Sequence, residues 1–109
     1  MSIELTPLLT RFVAHMNNHD SGAFTTCFAD DAVVEDEGQT YQGRVAIEAW
    51  ISKAFAQAAP ILDLKEAQQT AKGSILSGMV SGTFPGSPIM LHYHLTHDET
   101  AISALRCTV

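Results

Sequence analysis

The sequence predicts an α+β domain in which three N-terminal helices pack on one face of a curved, mainly antiparallel sheet. Three observations carry this expectation. Apolar residues recur at helical spacing through the first half of the chain. From Ile61 onward the pattern changes to extended segments, and only short turn-like pieces separate them. Helices first and a meander afterwards call for helices laid on one sheet face.

Each element can be justified in turn. Leu5, Leu8, Leu9, Phe12, Val13 and Met16 form the stripe of a first helix, and Pro7 after Thr6 suits its start. The polar cluster Asn17-Asn18-His19-Asp20 ends it. A short second helix follows, capped by Asp20 or Ser21, with Ala23, Phe24, Cys27 and Phe28 on its buried side. Phe28 to Asp36 reads as a helix end, a sharp acidic turn at Asp30 and Asp31, and a short strand. A second extended piece lies around Thr40–Gln42. Ala46, Ile47, Trp50, Ile51, Ala54, Phe55 and Ala58 place a third helix from about Arg44 to Ala59, stopped by Pro60, with Trp50 in the core. Ile61 to Thr70, Gly73 to Phe84, Ile89 to His97 and Ala101 to Val109 form the C-terminal four-strand meander.

With 109 residues, 46% hydrophobic and 17% charged, the chain suits one domain over residues 1–109 with a single core. Six basic residues stand against twelve acidic ones, for a net charge of -6. They are scattered, with no stripe for a phosphate backbone, so nucleic acid is not an expected partner. No stretch reaches the length of a membrane span, and Met1-Ser2-Ile3-Glu4 lacks the basic start and apolar run of a leader. Cys27 and Cys107 sit far apart in apolar patterns, as free thiols in a reducing cytoplasm would, and a disulfide between them is the other reading.

The chemistry concentrates at Glu35 and Asp36. Adjacent strand residues face opposite ways, so one of these carboxylates points toward the interior if that face is covered. There it is costly unless paired, protonated or used. Asp36 is the candidate general base; the other reading is a hydrogen-bonded residue at a strand end. Tyr93 shares a strand face with Leu91 and Leu95, which suits a phenol that hydrogen-bonds a ligand or a core tyrosine satisfied by the backbone. His92 and His94 project from the other face of the same strand. A metal needs further ligands, and none is spaced for it, so an outer-face or interface role is expected, with no metal and no cofactor. Ser77 and Ser81 have no histidine and acid arranged around them in sequence.

The segment Phe28-Ala29-Asp30-Asp31-Ala32-Val33-Val34-Glu35-Asp36, with Tyr41-Gln42-Gly43-Arg44 leading into a helix, resembles the NTF2-like superfamily, in its SnoaL-like and ketosteroid-isomerase-like branch. The resemblance implies a cystatin-like, NTF2-like cone around an apolar pocket, and a homodimer joined through the outer sheet face. It also implies that Asp36 matches the proton-abstracting residue of the ketosteroid isomerases. At the positions of their two oxyanion donors this chain carries Phe12 and Tyr93, so one donor is absent and the other changed.

The expected function is therefore binding of a neutral, apolar small molecule, with proton-transfer chemistry of the isomerase, polyketide-cyclase or dehydratase kind. Asp36 serves as base and Tyr93 as donor, while Phe12, Met16, Phe28, Trp50, Leu76, Leu91, Leu105 and Cys107 form the walls. The alternative is a non-catalytic ligand-binding or dimeric assembly module. A limonene-epoxide type of hydrolase needs an arginine bridging two aspartates inside the cavity, and the strands supply only Arg106.

Overall fold

A computed structural model describes residues 4–109; the first three positions, part of the stretch read for a leader, lie outside them. Helix α1 (Pro7–Asn17) starts where Thr6 accepts the Leu9 N–H at 3.3 Å. Helix α2 (Ser21–Thr25) is capped by Asp20, whose carboxylate accepts the Ala23 N–H at 3.1 Å. Strands β1 (Phe28–Asp36) and β2 (Gln39–Gln42) form a hairpin, and α3 (Arg44–Ala58) follows it directly. The meander is β3 (Ile61–Gln69), β4 (Gly73–Ser81), β5 (Ile89–His97) and β6 (Ile102–Thr108). All four meander strands and all three helices fall where apolar periodicity places them.

The single sheet runs β2-β1-β6-β5-β4-β3. Every pairing is antiparallel except β1 with β6, which is parallel and brings the first strand against the last. Leu76 and Val80 of β4, Tyr93 and Leu95 of β5, and Ile102 and Leu105 of β6 turn one face inward under the helices. Asn17 fastens α1 to β3: its amide donates to the Leu62 carbonyl at 3.0 Å and its oxygen accepts the Leu62 N–H at 2.8 Å. No helix among the described residues is long and apolar enough to cross a membrane.

One expected element is corrected. Phe28 to Asp31 is neither a helix end nor a turn but the first part of β1. Phe28 lies opposite Ile102 and Val33 opposite Ala104, so Ala29 to Ala32 face Ser103 alone and the strand bulges. The bulge leaves Asp30 and Asp31 in solvent, which is how an extended strand tolerates them. Asp30 pairs with Arg44 at 3.1 Å on the surface.

Candidate functional site

Asp36 is the last residue of β1, and its position follows from the hairpin. Asp36 lies opposite Gln39, so the connection is the two-residue turn Glu37-Gly38. Both turn residues have positive φ, 52° and 77°, the backbone that a tight hairpin demands. Alternation along β1 then sends Ala32, Val34 and Asp36 inward and leaves Glu35 exposed. Of the two carboxylates, Asp36 is the one turned toward the interior.

The register across the sheet builds a row on that face. Glu35 lies opposite Arg106 in the parallel pair, which sets Asp36 beside Cys107. Cys107 lies opposite Tyr93, and Tyr93 opposite Leu76. Helix α3 reaches over the row from above: the Trp50 indole N–H donates to Asp36 Oδ2 at 3.1 Å. Tyr41 of β2 stacks on that indole, with ring centroids 5.8 Å apart and planes at 30°. Helix α1 covers the other end, where the Tyr93 hydroxyl points at Met16 Sδ, 3.8 Å away.

The electrostatics fit this order. Tyr93 is 6% exposed, and burial drives its phenol well above the ordinary value, with the nearby Cys107 and Asp36 charges adding to the rise. Cys107 is pushed up to about 12, mainly by burial and then by Asp36. Both groups stay protonated through the physiological range, so the row offers one carboxylate acceptor followed by an S–H and an O–H donor. Among the described residues the tyrosine's hydroxyl has one partner, a thioether, which is a weak acceptor.

The remaining expected residues separate into two groups. Phe12, Phe28, Leu76 and Leu105 are at most 2% exposed and belong to the packed interior. Phe12 contacts Phe24 at 5.1 Å and Tyr93 at 6.1 Å, and Phe24 contacts Phe28 at 5.3 Å between centroids. Leu91 and Cys107 are half-buried at the margin of that core. Trp50 is corrected from a core residue to a half-buried one. Its N–H needs an acceptor, so the ring stands at the core's edge with its polar tip on Asp36. An open, polar cleft of about 370 Å³ lies at the hairpin end, lined by Glu35 to Thr40 and Arg106 to Thr108, and Asp36 and Cys107 reach it. A second cleft of about 310 Å³ lies on the outer sheet face beside His94 and Arg106.

The histidines are engaged elsewhere. His92 Nδ1 meets Ser77 Oγ at 2.7 Å, and His94 Nε2 meets Thr108 Oγ1 at 2.9 Å, both on the outer face. Ser74 and His97 lie 2.9 Å apart, with the other imidazole nitrogen on the Asp98 carbonyl at 2.8 Å. Ser74 is 92% buried, so this pair ties β4 to the end of β5. Among the described residues no three His, Cys, Asp or Glu side chains converge on a metal position. Tyr41 is the site residue that sequence reasoning missed. The signal was available in the hairpin: a turn at Glu37-Gly38 puts Tyr41 opposite Val34, on the same face as Asp36.

The SnoaL-like domain family matches residues 9–102. The chain belongs to the SnoaL-like family. A candidate polyketide cyclase from Sinorhizobium meliloti is 34% identical, with 95% of each chain covered and a TM-score of 0.90. A protein of ketosteroid-isomerase-like fold from Catenulispora acidiphila, solved with trimethylamine, is 20% identical, with 96% and 87% covered and a TM-score of 0.83. SalBIII, an epoxide hydrolase/cyclase-like enzyme of pyran ring formation in the polyether salinomycin, is 14% identical, with 92% and 85% covered and a TM-score of 0.80. The last two likenesses show the shared fold. No curated protein matches the chain. The SnoaL-like, NTF2-like cone expected from the sequence is thus the fold that the chain has.

Proposed function

We propose that this SnoaL-like protein binds a neutral, enolisable small molecule at the hairpin end and catalyses proton transfer on it, with Asp36 as base and Tyr93 as donor. The observation that supports this best is the row itself: one inward carboxylate, held by an indole N–H, beside two groups that keep their protons. In such a step Asp36 takes a proton from the carbon next to a carbonyl. The C–H electrons form the enolate, whose oxygen takes a hydrogen bond from the Tyr93 hydroxyl. Return of the proton to a different carbon completes an isomerisation; attack of the enolate carbon on a second carbonyl closes a ring, and the alkoxide so formed takes the proton held by Asp36. In this reading Cys107 borders the cleft beside Asp36, Trp50, Met16 and Leu91 are the walls further in, and Phe12, Phe28, Leu76 and Leu105 lie behind them. The reading needs no cofactor. It includes a cytoplasmic homodimer formed through the outer sheet face, and sedimentation as a monomer at tens of micromolar would remove that part.

The test is conversion of a β,γ-unsaturated cyclohexenone to its conjugated isomer, followed by absorbance. The Asp36→Asn variant keeps the fold and loses about a hundredfold or more in turnover. Wild-type turnover matched by the variant sinks the assignment. A second reading, a ligand-binding or assembly module without catalysis, is favoured by one observation. By the resemblance to the ketosteroid isomerases Phe12 falls at the position of one oxyanion donor, and it is fully buried against Tyr93. Saturable ligand binding with no turnover in the wild type would select that reading.

A further inference from the structure

A carboxylate that acts as a base works through one oxygen, aimed at one proton. The backbone of Asp36 is fixed by the hairpin, yet its side chain still has two rotatable bonds. What fixes them is on α3. The Trp50 N–H donates to Oδ2 at 3.1 Å and leaves Oδ1 without a protein donor among the side-chain hydrogen bonds of the described residues. An indole nitrogen is a donor only, so it holds the oxygen without taking or supplying a proton in the reaction.

The indole is itself held on both sides. Tyr41 stacks on it at 5.8 Å, and Phe24 meets it at 6.3 Å with planes at 54°. Phe24 is fully buried and joins Phe12, Phe28 and Phe55 in one aromatic cluster. A continuous line of packing therefore runs from the core, through Phe24 and Trp50, to a single carboxylate oxygen. We propose that Trp50, clamped by Tyr41, is the positioning residue that presents Asp36 Oδ1 to the substrate carbon. This rests on the proton-transfer reading above. The rival explanation is a staple that merely fastens α3 to the hairpin.

The chain contains one tryptophan, so a single indole N–H signal reports on this bond without any ligand. In the ¹H–¹⁵N spectrum, Asp36→Ala moves that signal to the position of a solvent-exposed indole and speeds its exchange with water. In the cyclohexenone assay, Trp50→Phe keeps the ring stacking and lowers kcat about tenfold or more, with KM changed less than about twofold. Tyr41→Leu gives a smaller loss of the same kind. An indole signal indifferent to Asp36→Ala overturns the proposal, as does full kcat in Trp50→Phe beside an inactive Asp36→Asn, which is what a staple gives. Full activity in Asp36→Asn removes the proton-transfer reading itself and the positioning role with it.

Discussion

Under α1 and α2 the space between helices and sheet holds Phe12, Phe24 and Phe28 with no exposed surface, whereas under the start of α3 it holds Asp36, Trp50, Tyr41 and Cys107, all half-buried. The first region is closed, apolar and filled by rings in mutual contact. The second is open, carries the only inward carboxylate of β1, and borders a polar cleft. Close packing and open polar surface are separated along one sheet face. The closed end touches the open end through Phe24 against Trp50 and through Phe12 against Tyr93.

The widest separation should appear in denaturant melts. Phe24→Ala removes a fully buried ring and is expected to cost about 3–5 kcal/mol. Trp50→Ala, at the open end, is expected to cost only about 2 kcal/mol, from partial burial and one hydrogen bond. Equal losses would mean that the two ends form one core. A smaller effect of opposite sign is expected in the turn. Glu37 holds φ 52°, a strained value for a residue with a β-carbon. Glu37→Asn should add roughly 0.5–1 kcal/mol of stability, since asparagine suits that turn position. A loss instead would show that Glu37 makes contacts worth more than its strain.

The smallest effect is a slope with pH on the outer face. Burial first, then the charges of Arg106 and His92, hold His94 below the usual imidazole range. The unfolded chain therefore binds more protons at this site than the native state does. Stability is lost as pH falls through about 6.5, the unfolded value, toward the lower folded one. His94→Gln should flatten that part of the profile, measured as denaturant midpoints across weakly acidic pH. An unchanged slope would place the titration elsewhere.

How far the sequence carried can be judged residue by residue. The helices and the meander were legible because apolar periodicity and Pro or Gly punctuation are local signals. The inward turn of Asp36 was legible because strand alternation is also local. The acidic bulge was misread because Asp-Asp after an aromatic is turn chemistry in isolation, and only the pairing of β1 with β6 makes it a strand. Trp50 was misplaced by the same limit. Its helical stripe puts it toward the core, but the acceptor that draws it to the edge is fourteen residues away in sequence. The Asp36–Cys107–Tyr93 row depends on that non-local pairing as well, so the aspartate and the tyrosine were each visible while their adjacency through Cys107 was not.

The parallel pairing of β1 with β6 bears on how the molecule comes into being. Phe28 finds its partner only at Ile102, after α3 and four other strands have been laid down. Loop closure over that span is entropically slow, and contacts of such long sequence separation tend to form late. A nascent chain can order its helices and begin its meander while Asp36 still has no Cys107 beside it. The row of Asp36, Cys107 and Tyr93 is thus complete only when the final strand docks against the first.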